Sequence, residues 1–152
     1  MLFDRDMDEK IMLPKAAKPN LMGMQEACYR MLELLLPKQY EASCEYTSLL
    51  KKHPKLKLSI DAKHAYTSDL SLEYQFENHC SDRISIRMYH DAELAELLHA
   101  TELERQLRLQ GPMISTLTHA RLRSKQSIFL HKWLIYLLDT GYGVCRWELH
   151  LD

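Results

Sequence analysis

Residues 83–92 read Arg-Ile-Ser-Ile-Arg-Met-Tyr-His-Asp-Ala. Arg83, Ser85 and Arg87 alternate strictly with Ile84, Ile86 and Met88. A period of two belongs to a strand with one packed and one wet face. At Tyr89-His90-Asp91 the alternation stops, and an Asp there suits a turn in which it bonds its own backbone. Two upstream stretches share the period. Leu56, Leu58, Ile60 and Ala62 alternate with Lys55, Lys57, Ser59 and Asp61; Leu70, Leu72, Tyr74 and Phe76 alternate with Ser71, Glu73, Gln75 and Glu77. The connections, His64–Ser68 and Asn78–Asp82, are short enough for hairpins. The three strands therefore predict an antiparallel meander with one face packed. Lys and Arg on the outer strands and Glu on the middle one favour that order and read as a solvated, charge-laddered face. Cys44–Leu50 is a further possible strand.

Outside the meander the period changes. Met24, Cys28, Met31 and Leu35 recur at three- and four-residue spacing, predicting a helix over Asn20–Leu36 with Asn20 as N-cap and Pro37 as stop. Methionines on such a stripe are core filler far more often than ligands. A second long helix is predicted from Ser124, as N-cap, to Thr140, with Gly141 after its end. Its apolar residues, Ile128 to Leu138, cover most of the circumference. That pattern marks a helix buried centrally or shared with a partner, so a homodimer through this last helix is expected. Residues 143–151 alternate again and read as a strand that rejoins the sheet. Residues 92–110 have a helix-favouring composition, and their spacing fits both a helical face (Leu94, Leu97, Leu98) and a strand interrupted by Glu96 (Ala92, Leu94, Leu98); Gly111-Pro112 opens a loop to Arg123. The expected fold is α+β: an antiparallel sheet meander with two long helices packed on one face. Residues 1–17 read as an N-terminal tail and 18–152 as a single domain.

The chain has 152 residues, enough for a core without disulfide or metal staples. Its formal net charge is −1, from 20 basic and 21 acidic residues, so the cationic surplus used in nucleic-acid binding is missing. No nucleic acid is expected as partner. Cys28, Cys44, Cys80 and Cys145 form no Cys-x-x-Cys pair. The first nine residues carry four acidic positions, unlike a signal peptide. The longest apolar run, Trp133–Leu138, is six residues and too short to span a membrane. These features predict a cytoplasmic protein with reduced thiols and no membrane contact.

No P-loop, Gly-x-Gly-x-x-Gly, Gly-x-Ser-x-Gly or His-Glu-x-x-His occurs. The meander brings His53, His79 and Cys80 to one end, but turns collect polar residues anyway and no fourth zinc ligand is indicated. No metal and no cofactor are expected. The other end gathers His64, Asp69, Tyr89, His90 and Asp91. An imidazole beside a carboxylate can act as a base, yet neighbours in a strand point to opposite faces. The structural reading leads, and catalytic residues are unassigned.

Arg87-Met88-Tyr89-His90-Asp91-Ala92, followed by Ala95-Glu96, resembles the signature of the YqiB-like family of small bacterial proteins, a domain of unknown function. Glu26-Ala27-Cys28-Tyr29 leading to Leu35-Leu36-Pro37 is similar to that family's first helix, and Phe129–Leu134 ending at Gly141 to its last. The likeness runs from about Pro19 to Gly141. The chain departs from the family at Cys28, usually Asn; at His119–Arg123, a shortened form of a longer polar string; and at Lys125 and Ser127, usually Gln and Asn. Arg87, Tyr89, His90, Asp91 and Glu96 are the retained set and the candidate ligand-binding residues. The resemblance implies no known activity. Family genes often lie beside cyclic-nucleotide phosphodiesterase and Nudix-hydrolase genes, which implies a link to nucleotide metabolism. It also favours a strand after Asp91, making Tyr89-His90-Asp91 a hairpin turn. Two functions are therefore expected: first, a non-catalytic protein-interaction or regulatory module; second, a binder of, or enzyme on, a small anionic ligand such as a nucleotide, clamped by the Arg87 fork.

Overall fold

A computed structural model describes residues 20–75, 81–109, 119–143 and 147–150. The 1–17 tail, His79, Cys80 and Cys145 lie outside the described residues. Helix α1 spans Leu21–Leu35, and Asn20 caps it by accepting a hydrogen bond from the Gly23 amide at 2.5 Å. Gly23 makes that approach possible, because a Cβ there would stand 2.8 Å from Asn20 Oδ1. Leu36 leaves the helix in extended backbone, as a residue before proline must.

Strands β1 (Glu45–Ser48), β2 (Lys55–Lys63), β3 (Thr67–Gln75), β4 (Ser81–Tyr89) and β5 (Leu94–Ala100) follow, with β6 (Trp147–His150) last. They form one six-stranded sheet in the order β5-β4-β3-β2-β1-β6. Every pairing is antiparallel, and the register sets Glu73 opposite both Lys57 and Arg83. The final strand rejoins the sheet beside β1, with Tyr46 opposite Leu149.

Leu58, Ile60, Leu70, Leu72, Ile84 and Ile86 share one face of the sheet and are buried. On that face pack Cys28, Leu32 and Leu35 of α1 and Leu130, Leu134 and Leu137 of helix α3, His119–Thr140. Each such Leu or Ile contributes roughly 1.5–3 kcal/mol by leaving water. The apolar girth of α3 is accounted for by this packing. Its buried side faces the core, and Ile128 is its one large exposed apolar side chain among the described residues.

Two boundaries differ from expectation. Residues 92–110 are both strand and helix: β5 runs to Ala100, and helix α2 spans Thr101–Leu109. Ala95 and Leu97 alternate into the core, the β4–β5 register slips past Leu98, and the acidic Glu102 and Glu104 then favour a helix start. The loop expected up to Arg123 does not extend that far, because His119–Arg123 already belong to α3; Ser124 is an exposed interior residue, not the N-cap. Gly141 ends α3 at φ +115°, where its amide and that of Tyr142 return to the Leu137 carbonyl. No helix among the described residues is long and apolar enough to cross a membrane.

Candidate functional site at the β4–β5 hairpin

The alternation of β4 divides the candidate residues between the two sides of the sheet. Arg83, Ser85, Arg87 and Tyr89 project from the open face; Ile84, Ile86 and Met88 project toward the helices. His90 continues the second row. Its Nδ1 lies 3.0 Å from the Tyr29 hydroxyl on α1, and its Nε2 lies 2.7 Å from Ser68 Oγ.

On the open face one row runs Glu96–Arg87–Asp69 across three strands. The Arg87 guanidinium donates two hydrogen bonds to the Asp69 carboxylate, at 2.8 and 3.1 Å. Those bonds hold the Asp69 carboxyl below its ordinary value and push the guanidinium further up; Tyr89 adds to the rise at Arg87. The Tyr89 hydroxyl donates to Glu96 Oε1 at 2.7 Å. Partial burial, then that carboxylate, raises the Tyr89 phenol. His64 is exposed, and its field also favours the ionised Asp69.

On the helix side, Ser68 is fully buried and accepts a hydrogen bond from Tyr40 at 3.3 Å. A serine hydroxyl at 2.7 Å from an imidazole has the spacing of a nucleophile and its base. Catalysis also requires that a substrate carbon reach the hydroxyl, and Ser68 exposes none of its surface. The chain Tyr29–His90–Ser68–Tyr40 is instead a polar tie between α1, β3 and the hairpin.

His90, Asp91, Ala92 and Glu93 form the hairpin loop, closed by Tyr89 opposite Leu94. Glu93 takes the left-handed conformation, φ +54°, that lets a longer hairpin loop close. Tyr-His-Asp is thus the end of a strand and its turn. Beside it lies a cleft of about 330 Å³. Tyr89, Asp91 and Glu96 line it, together with Gln25 of α1 and Arg123 of α3. Arg87 and His90 do not line it. The retained set is therefore separated: three of its members border the cleft, Arg87 is held by Asp69, and His90 faces the helices. Gln25 and Arg123 were invisible to motif reading because they meet the hairpin only through the packing of α1 and α3.

Among the described residues no group of three His, Cys, Asp or Glu side chains is placed to hold a metal ion. Burial pushes the Cys28 thiol up to about 12, so it is an unreactive core residue.

A family model described as "Protein of unknown function (DUF1249)" matches residues 31–143, which contain the sheet from β1 to β5, the hairpin, α2 and all of α3. No curated protein and no solved structure matches the chain.

Proposed function

We propose that this chain, which belongs to the DUF1249 family of proteins of unknown function, is a cytoplasmic, non-catalytic interaction or regulatory module of the YqiB-like kind. One observation carries the reading: Arg87, Tyr89 and His90 each bond another side chain of the same molecule. A general base or an anion clamp needs its polar atoms aimed at a ligand. Here they hold strand to strand and sheet to helix. Recognition then falls to the open face of the sheet, which presents Lys57, Glu73 and Arg83 in one cross-strand row.

In-cell crosslinking followed by mass spectrometry tests this. The chain should crosslink to a discrete protein partner, and the double variant Lys57→Glu, Arg83→Glu should lose it while remaining folded by circular dichroism, with a melting temperature lower by roughly a few degrees because both new carboxylates stand opposite Glu73. An identical partner set for both proteins would remove the open face from the proposal.

A homodimer through α3 is the narrower form of the same reading. It rests on Ile128, 38% exposed on that helix; the flanking Lys125 and Lys132 are also exposed and weigh against close approach of two copies. A monomeric mass by light scattering at micromolar concentration would end it. The second reading, a small ligand held by Arg87, Tyr89, His90, Asp91 and Glu96, is favoured by the cleft that three of these residues line.

A further inference from the structure

The cleft has a charge pattern that selects among small ligands. We propose that it binds a zwitterion of amino-acid size, with the ammonium group toward Asp91 and Glu96 and the acidic group on Arg123. The proposal rests on the small-ligand reading and changes its ligand class from anion to zwitterion.

Three elements build the cleft: α1 supplies Gln25, the hairpin and β5 supply Asp91 and Glu96, and α3 supplies Arg123. Among the described residues neither Asp91 nor Arg123 has a hydrogen-bond or ion-pair partner. Tyr89 occupies Oε1 of Glu96 and so fixes that carboxylate, leaving Oε2 to accept. One cation therefore stands against two carboxylates across a small space. A nucleotide would bring several phosphate charges to a site whose net charge is negative. A simple amine would leave Arg123 unanswered, and a simple acid would leave Asp91 unanswered. A molecule bearing one ammonium and one carboxylate satisfies both. The volume, about 330 Å³, lies at the lower end of the range for ligand pockets, roughly 300–1,000 Å³. Leu21 and Leu94 give the wall an apolar portion for a side chain.

The test is titration calorimetry of the full chain with each of the twenty common L-amino acids, up to 10 mM. At least one should bind. For that amino acid, the amine lacking its carboxylate and the acid lacking its ammonium should each bind at least about tenfold more weakly, the loss of one charge-assisted hydrogen bond. Asp91→Asn and Arg123→Gln should weaken it similarly. Both side chains are exposed, so the variants should melt as the parent does, and an unchanged melting temperature shows that the loss is local. Absence of binding by every amino acid overturns the proposal. So does binding that both variants leave unchanged, or an acid that binds as tightly as its zwitterion, which would restore the anion reading. None of these outcomes touches the open-face crosslink, so the two proposals fail separately.

Discussion

Asp69 and Arg87 face each other on the open side of the sheet with 25% and 39% of their side chains exposed, so water screens their attraction. Their geometry is nevertheless bidentate. The folded Asp69 carboxyl titrates below its unfolded value, so the pair stabilises the fold above the ordinary carboxylate range and is lost as pH falls through the lowered folded value. Asp69→Asn should cost up to about 1 kcal/mol at pH 7 and almost nothing at pH 2. Urea unfolding at the two pH values checks this; equal losses at both would mean that the carboxylate charge does not matter. His90 is the more consequential residue. Its removal leaves the buried Ser68 hydroxyl with Tyr40 alone and takes the imidazole from the Tyr29 hydroxyl, and His90→Ala should cost about 1–3 kcal/mol. A stability unchanged in urea would make the tie dispensable and reopen a functional role for this histidine. The alternation of β4 made it legible in the sequence that Arg87 projects away from Ile86 and Met88, but not on which side His90 lies, because the alternation reads as stopping at Tyr89. The partners of His90 were not legible, because Tyr29 and Ser68 stand 61 and 22 residues away in the chain.

Helix α1 and the strands of the meander could be read because each has a single period and a clear stop. The segment 92–110 could not, because a strand and a helix there share one leucine-rich, Glu-rich composition with no glycine or proline between them. What separates them is tertiary: β4 pairs with the first half, with a register slip at Leu98, and the ladder ends at Ala100. Ahead of the slip, the strand's alternation sets neighbouring leucines in opposite environments. Leu97 is 4% exposed, and Leu98 is 40% exposed. Leu97→Ala should cost about 2–5 kcal/mol, whereas Leu98→Lys should stay within about 0.5 kcal/mol of the parent. Thermal denaturation of the two variants decides between this arrangement and a continuous helix, in which the burial of adjacent residues would not follow the strand ladder. The early start of α3 at His119 was not read, because Ser124 offered a fair N-cap in the sequence, although it lies inside the helix.

The α+β class followed from two periods in one chain, and so did the placement of the helices on one face. The place of β6 did not follow, since it could have joined either edge. It is held beside β1 by a four-residue ladder and by Trp147, whose indole N–H donates to the Leu35 carbonyl at the end of α1 at 2.7 Å. That bond ties the last strand to the first helix across 112 positions of sequence. Beyond Trp147, the residues Glu148, Leu149 and His150 are exposed, so little apolar burial supports them. The strands β2, β3 and β4, in contrast, share the fully buried leucines and isoleucines. Local opening follows such differences in burial and edge position. Trp147→Phe keeps the ring's apolar contacts but removes the donor. It should speed amide exchange at Glu148–His150 by about tenfold, the kinetic equivalent of one net hydrogen bond, while β2, β3 and β4 keep their protection. Hydrogen exchange read by mass spectrometry on peptides from each strand distinguishes the cases. Faster exchange confined to β6 identifies that edge as an independently opening part of the molecule. Faster exchange throughout the sheet would instead mean that the bond between Trp147 and Leu35 contributes to the whole core, and that β6 and α1 unfold together.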